Sequence, residues 1–166
     1  PKYVSGIFFW GLPIEEILFF VAVPYACIFL YEGLNFIILD KKLRPNNLFL
    51  ILLSTLSLFT ACQNYYSNYT FTVFICVAII FLLGNYLFKE IFSSYIFYLW
   101  MGISTLLFFI FNYLLTSIPI VIYSPYAITN IRVLTIPIED FLYNFLMLSL
   151  YLFFYLKSKK IFSKGY

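Results

Sequence analysis

Two short stretches carry the side chains of this sequence best placed to do chemistry. Leu12-Pro13-Ile14-Glu15-Glu16-Ile17-Leu18-Phe19-Phe20 sets a proline and two adjacent carboxylates ahead of a long apolar run. Ile136-Pro137-Ile138-Glu139-Asp140-Phe141-Leu142-Tyr143-Asn144 repeats the arrangement in altered form. The chain has seven acidic residues, and four of them stand in these two copies. Pro13 and Pro137 suit a first helical turn, where the missing N–H is no loss. Carboxylates suit the same turn because the helix dipole is positive there. One copy alone is explained as a capped helix start. Two copies, each at the mouth of an apolar segment, ask for more, because acids within a membrane are costly and usually functional. Adjacent acids on a helix point about 100° apart. Each copy therefore turns at most one acid squarely inward, and together they offer two carboxyls to one apolar cavity. Such a site can hold one acid protonated beside an ionised neighbour, the arrangement acid–base work needs. A protonated acid in a dry aromatic cavity can protonate a carbon–carbon double bond. Ring faces stabilise the resulting carbocation, as does nearby carboxylate charge. Phe8, Phe9, Trp10, Phe19 and Phe20 surround the first copy, and Phe141, Tyr143 and Phe145 the second. Most of the other aromatics must simply pack or face lipid.

The elements that position these acids are membrane helices. The chain is 64% hydrophobic and only 10% charged, with a mean hydropathy of +0.97. Apolar runs of about 20 residues are membrane spans. The sequence predicts five, over residues 14–36, 48–61, 70–87, 91–115 and 138–156. Their length and continuity argue against the alternating strands of a barrel. Pro24 lies inside the first span and is expected to bend it, displacing the carbonyl of Phe20. The absence of histidine makes a haem or zinc centre improbable. Cys27, Cys62 and Cys76 are scattered and read as small core residues. No glycine-rich dinucleotide or phosphate loop is visible, so no cofactor, metal or nucleic acid is expected. The chain begins at Pro1 rather than Met, which reads as a fragment lacking its N-terminal part.

Charge sorts the connections between spans. Lys41, Lys42, Arg44, Lys89, Lys157, Lys159, Lys160 and Lys164 fall on one side, and Lys2 and Arg132 on the other. The richer side is cytoplasmic by the positive-inside rule. The C-terminus then faces the cytoplasm, and both acidic motifs lie near the opposite face. An even number of spans separates the motifs, so both helices enter from the same side and the repeat is parallel. The connection 116–135 is long, and long loops are usually functional or disordered. Its apolar, aromatic composition argues for a folded loop over the mouth between the first and fifth spans, with Arg132 close to Glu139 and Asp140.

At these residues the sequence resembles the lycopene cyclase domain family. This is the small membrane type of carotenoid cyclase, found as two subunits or as one fused chain. The doubled P-I-E-E and P-I-E-D motifs carry the resemblance. Residues 6–32, with Pro24-Tyr25-Ala26-Cys27 and Tyr31-Glu32, look like the third helix of the fused form. Residues 112–144 look like the matching end of the second repeat. The resemblance implies an all-α integral membrane protein, here a five-span fragment of a seven-helix bundle built from a parallel tandem repeat. Residues 1–40 would be the last helix of the first repeat, 41–66 a connector span, and 67–166 the second repeat. It also implies cyclisation of a linear carotenoid end group, with no net redox change and no cofactor. Glu15, Glu16, Glu139 and Asp140 are the implied acids and bases. Phe19, Phe20, Tyr143, Asn144 and Arg132 are expected to line the pocket, and Pro13, Pro24 and Pro137 to shape it. The partners expected are the carotenoid, the lipid bilayer and the missing N-terminal spans of the same protein. Two other functions fit the residues: a carotenoid- or lipid-binding membrane protein without turnover, and a proton-coupled transporter.

Overall fold

The computed structural model describes residues 5–84, 86–118 and 120–163. The expectations placed on Lys2 and Lys164 lie outside the described residues. Six helices dominate: α1 (Ile14–Ile37), α2 (Asn47–Gln63), α3 (Asn68–Leu82), α4 (Lys89–Phe92), α5 (Tyr95–Ser117) and α6 (Ile138–Ser163). Helices α1, α5 and α6 are long and apolar enough to cross a membrane. Helices α2 and α3 are apolar but shorter, at 17 and 15 residues. The expected third span therefore stops at Leu82, five residues early, and the fourth begins at Tyr95, with the single turn α4 before it. The break has a local cause. Phe92 lies against Gly84, where an added Cβ would meet its ring at 2.9 Å, and the Ser94 hydroxyl caps α5 by accepting from Phe97 N.

The direction of the helices follows from their cross-links. Tyr151 of α6 reaches Phe20 of α1, and further along Lys159 pairs with Glu32. Residue numbers rise together, so α1 and α6 are parallel neighbours that begin at the same end. Thr70 of α3 meets Glu139, and Phe81 stacks on Phe145, so α3 runs the same way. Asn112 meets Asp140 while Thr105 meets Asn144, so α5 runs against them. Both acidic motifs thus lie at one end. At the other end Lys159 pairs with Glu32, Lys160 with Glu90, and Lys42 with Asp40. Asp40 also accepts from Ser94 Oγ and Ile96 N at the start of α5. Burial opposes its ionisation, but the Ile96 N–H, the Ser94 hydroxyl and Lys42 together hold the carboxyl below its ordinary value.

Two hairpins, which the helical pattern gave no reason to expect, introduce α1 and α6. Strand β1 (Phe8–Phe9) pairs with β2 (Leu12–Pro13), and β3 (Arg132–Val133) with β4 (Ile136–Pro137). Both turns need left-handed backbone, at Trp10 and Gly11 in one and at Leu134 in the other. The core lies between α3, α4, α5 and α6, around Val77, Phe92, Phe97, Trp100 and Leu152. Helix α1 buries little beyond Tyr31. Its remaining apolar side chains suit lipid contact rather than an aqueous surface. Helix α1 continues through Pro24. Pro24 has no N–H to offer the Phe20 carbonyl, and the Tyr151 hydroxyl approaches that oxygen at 3.5 Å.

Trp100 joins α5 to α1. Its ring is fully buried, meets Tyr31 edge-on at 5.7 Å, and donates Nε1–H to the Cys27 carbonyl at 2.6 Å. Trp100→Ala is expected to lower stability by about 3–5 kcal/mol. Trp100→Phe keeps most of the packing and should cost about 1 kcal/mol for the lost bond. Thermal unfolding in detergent measures both, and equal losses would show that the ring's packing is not what holds α1.

Candidate functional site

The second acidic motif is the best-built polar site among the described residues. Pro137 and Ile138 begin α6 directly from β4, which delivers Glu139 and Asp140 to its first turn. Glu139 is 0% and Asp140 3% exposed. A buried carboxylate requires donors, because its lost hydration is otherwise uncompensated. Glu139 Oε1 accepts from Thr70 Oγ1 at 2.6 Å, Thr129 N at 2.7 Å and Thr129 Oγ1 at 2.8 Å. Its Oε2 has no partner among the described residues. Asp140 Oδ1 accepts from Tyr69 OH at 2.8 Å. Its Oδ2 accepts from Asn112 Nδ2 at 2.9 Å and Tyr123 OH at 2.7 Å. The rings of Tyr69 and Tyr123 stack, with centroids 6.0 Å apart, and Tyr143 tilts against Tyr69 at 6.4 Å. Burial pushes the Tyr123 phenol up from its ordinary value, and its bond to Asp140 adds to the shift. Tyr123 therefore remains a hydrogen-bond donor at neutral pH.

The connection after α5 is folded, as its composition suggested, but it covers a different seam. Ala127 O accepts the N–H groups of Tyr69 and Thr70, two of the free donors at the start of α3. Tyr123 and Thr129 bind the α6 acids. The bonds of this loop thus tie α3 to α6, rather than closing the mouth between α1 and α6. Arg132 is exposed and donates to Thr135 O within the hairpin at 2.9 Å. Among the described residues it forms no ion pair with either acid.

The first motif stands in a similar hairpin with a different environment. Glu15 and Glu16 are exposed. Glu15 Oε1 accepts from Ser5 N at 2.6 Å. The four acids are brought to one end of the bundle, on two neighbouring helices, with one pair buried and one open.

An apolar groove of about 550 Å³ runs between α1 and α5, and none of the four acids lines it. Phe19, Val23 and Cys27 line one wall and Leu107 and Phe108 the other, while Asn112 and Asn144 bring amides to it. Asn112 also binds Asp140, so the groove reaches a direct partner of the buried pair. Phe20 and Tyr143 do not line it. Phe20 packs edge-on against Phe19, and Tyr143 lies against Tyr69. Tyr69, Thr70, Tyr123 and Thr129 were not identified from the sequence. The run Tyr65-Tyr66-Ser67-Asn68-Tyr69-Thr70 was the available signal, a hydroxyl-rich stretch opening an apolar helix.

Tyr123 is the loop's main link to Asp140. A hydrogen bond to a charged group contributes about 1.5–3 kcal/mol. Tyr123→Phe is therefore expected to raise amide exchange across residues 120–131 by roughly ten- to a hundredfold. Unchanged exchange would show that the loop is held without this bond.

No curated protein and no solved structure matches the chain. The family model described as lycopene cyclase matches residues 1–34 and 64–157. That match takes in both acidic motifs, α3, α5 and the loop that covers the buried pair. The chain belongs to the lycopene cyclase family.

Proposed function

We propose that the protein is a carotenoid β-cyclase acting within the membrane. Membership of the family supports cyclase activity. The observation that supports acid–base chemistry is the buried carboxyl of Asp140, whose hydrogen-bond donor Asn112 lines an apolar groove. An acid protonates the terminal double bond of a linear end group, such as that of lycopene. The neighbouring alkene closes a six-membered ring, and a carboxylate removes a proton to leave the ring double bond. Substrate and product contain the same atoms, so the reaction is an isomerisation and its stoichiometry requires no redox cofactor. The stacked Tyr69 and Tyr123, which bind Asp140, and the groove ring of Phe108 offer aromatic faces for a carbocation. The groove's apolar walls suit a polyene.

The matched hydrogen bonding of the two hairpins supports reading α1 and α6 as equivalent helices of a parallel tandem repeat. On that reading α2, which lies in the segment the family model does not match, is the connector. The chain is then a five-span part of a seven-helix bundle, with α2 and α3 crossing as short spans. The exposed first motif is completed by further helices of the bundle, as α3 and α5 complete the second. The basic end, with the C-terminus, is cytoplasmic, and the acids lie near the opposite face.

A binder without turnover and a proton-coupled transporter are separated from this reading by one assay. The full-length protein is expressed in a lycopene-making host and its pigments are resolved by chromatography. The cyclase reading expects lycopene to be replaced by products bearing β-rings. Persistence of lycopene beside well-expressed protein would contradict it.

A further inference from the structure

In both motifs the first acid is held in the same way. Glu15 accepts the backbone N–H of Ser5, and Glu139 that of Thr129, each donor ten residues upstream. The frame around them matches as well. Ile14 N donates to Ile7 O, and Ile138 N to Ile131 O, both at 3.0 Å. Phe8 is opposite Pro13, and Arg132 opposite Pro137. Left-handed backbone falls at Gly6 and Trp10 in the first hairpin and at Asn130 and Leu134 in the second. Glu15 keeps its bond although it is exposed, so burial does not dictate it. The bond belongs to the hairpin.

The second acids are placed differently. Asp140 is bound by Asn112, which lines the groove, and lies one helical turn before Asn144, which also lines it. Glu139 points roughly 140° away from Asn144 around α6, and its side-chain donor on another helix is Thr70 of α3. Glu16 precedes the groove residues Phe19 and Val23 by three and seven positions, one stripe of α1.

We propose that the two acids of each motif have separate duties. Glu15 and Glu139 are positioning residues that lock the hairpins, and Glu16 and Asp140 are the carboxyls that exchange protons with the substrate. The proposal rests on the cyclase reading. One of these two carboxyls gives its proton to the terminal alkene, whose π pair becomes the new C–H bond. The adjacent double bond attacks the resulting cation, forming the ring bond and moving the charge to a ring carbon. The other carboxylate takes a proton from the neighbouring carbon, and that C–H pair becomes the ring double bond. Water returns the proton from the second carboxyl to the first, so protons gained and lost are equal.

The test uses the full-length protein with two readouts, lycopene conversion and amide exchange at residues 120–131. Glu139→Gln retains an acceptor for Thr129 and Thr70, and should keep conversion within about threefold of the parent, far less than loss of an acid–base group costs. Glu139→Leu removes the acceptor and should raise exchange at Thr129. Asp140→Asn and Glu16→Gln should each cut conversion at least about a hundredfold, with Thr129, which Glu139 holds, less exposed to exchange than in Glu139→Leu. If Glu139→Gln is as inactive as Asp140→Asn while its loop stays protected, the division of duties is overturned. Parental conversion by Asp140→Asn or Glu16→Gln overturns it equally. A parent protein that leaves lycopene unchanged removes the cyclase reading and the exchange roles with it. In that case protection of Thr129 in Glu139→Leu still decides the anchoring role.

Discussion

Two carboxylates buried side by side at the start of α6 constrain the rest of this structure. In an apolar bundle neither can stay charged without donors, and an unpaired buried carboxylate would cost several kcal/mol. The donors come from separate parts of the chain: Tyr69 and Thr70 from α3, Asn112 from α5, and Tyr123 and Thr129 from the loop before β3. Satisfying Glu139 and Asp140 therefore fixes the relative depth of three helices and folds a long connection over them. The same bonds place Asn112 at the edge of the groove. Stability and the architecture of the site rest on one set of contacts.

The two hairpins show how much of that arrangement is local. Each produces the same backbone path and the same bond to its first acid from sequences that differ at most positions. What the first hairpin lacks is a covering layer. Leu12 is exposed where its counterpart Ile136 is fully buried, and Glu16 is open where Asp140 has three donors. An apolar hairpin flanked by exposed Phe8, Phe9 and Trp10 next to an open acid pair is costly in water. It suits a membrane interface.

The sequence was informative about the helices and the acids because both leave strong one-dimensional signals. Long apolar runs and the doubled proline–carboxylate motif need no tertiary knowledge to see. The helix starts at Ile14 and Ile138 lie where the prolines place them. The break between α3 and α5 was legible at residues 88–90, but its full extent, from Leu82 to Tyr95, was hidden because Phe88, Ile91 and Phe92 continue the apolar run. The contact of Phe92 with Gly84 and the Ser94 cap widen it. The hairpins were hidden because their register depends on left-handed backbone at Trp10 and Leu134, residue types that seldom adopt it. The donors to the acids were hidden for a different reason. Thr70 and Tyr123 are far in sequence from Asp140 and Glu139, and nothing in an apolar helix or loop marks which hydroxyl will face a carboxylate.

A carboxyl that exchanges its proton with water must deliver solvent hydrogen to the carbon–carbon double bond it protonates, and isotope transfer reads that step. Cyclisation of lycopene by the membrane-embedded protein is run in deuterated water and the product is analysed by mass spectrometry. An acid that exchanges with solvent and then adds its proton to the end group places one deuterium in each ring formed. Rings that form without solvent deuterium would contradict the mechanism.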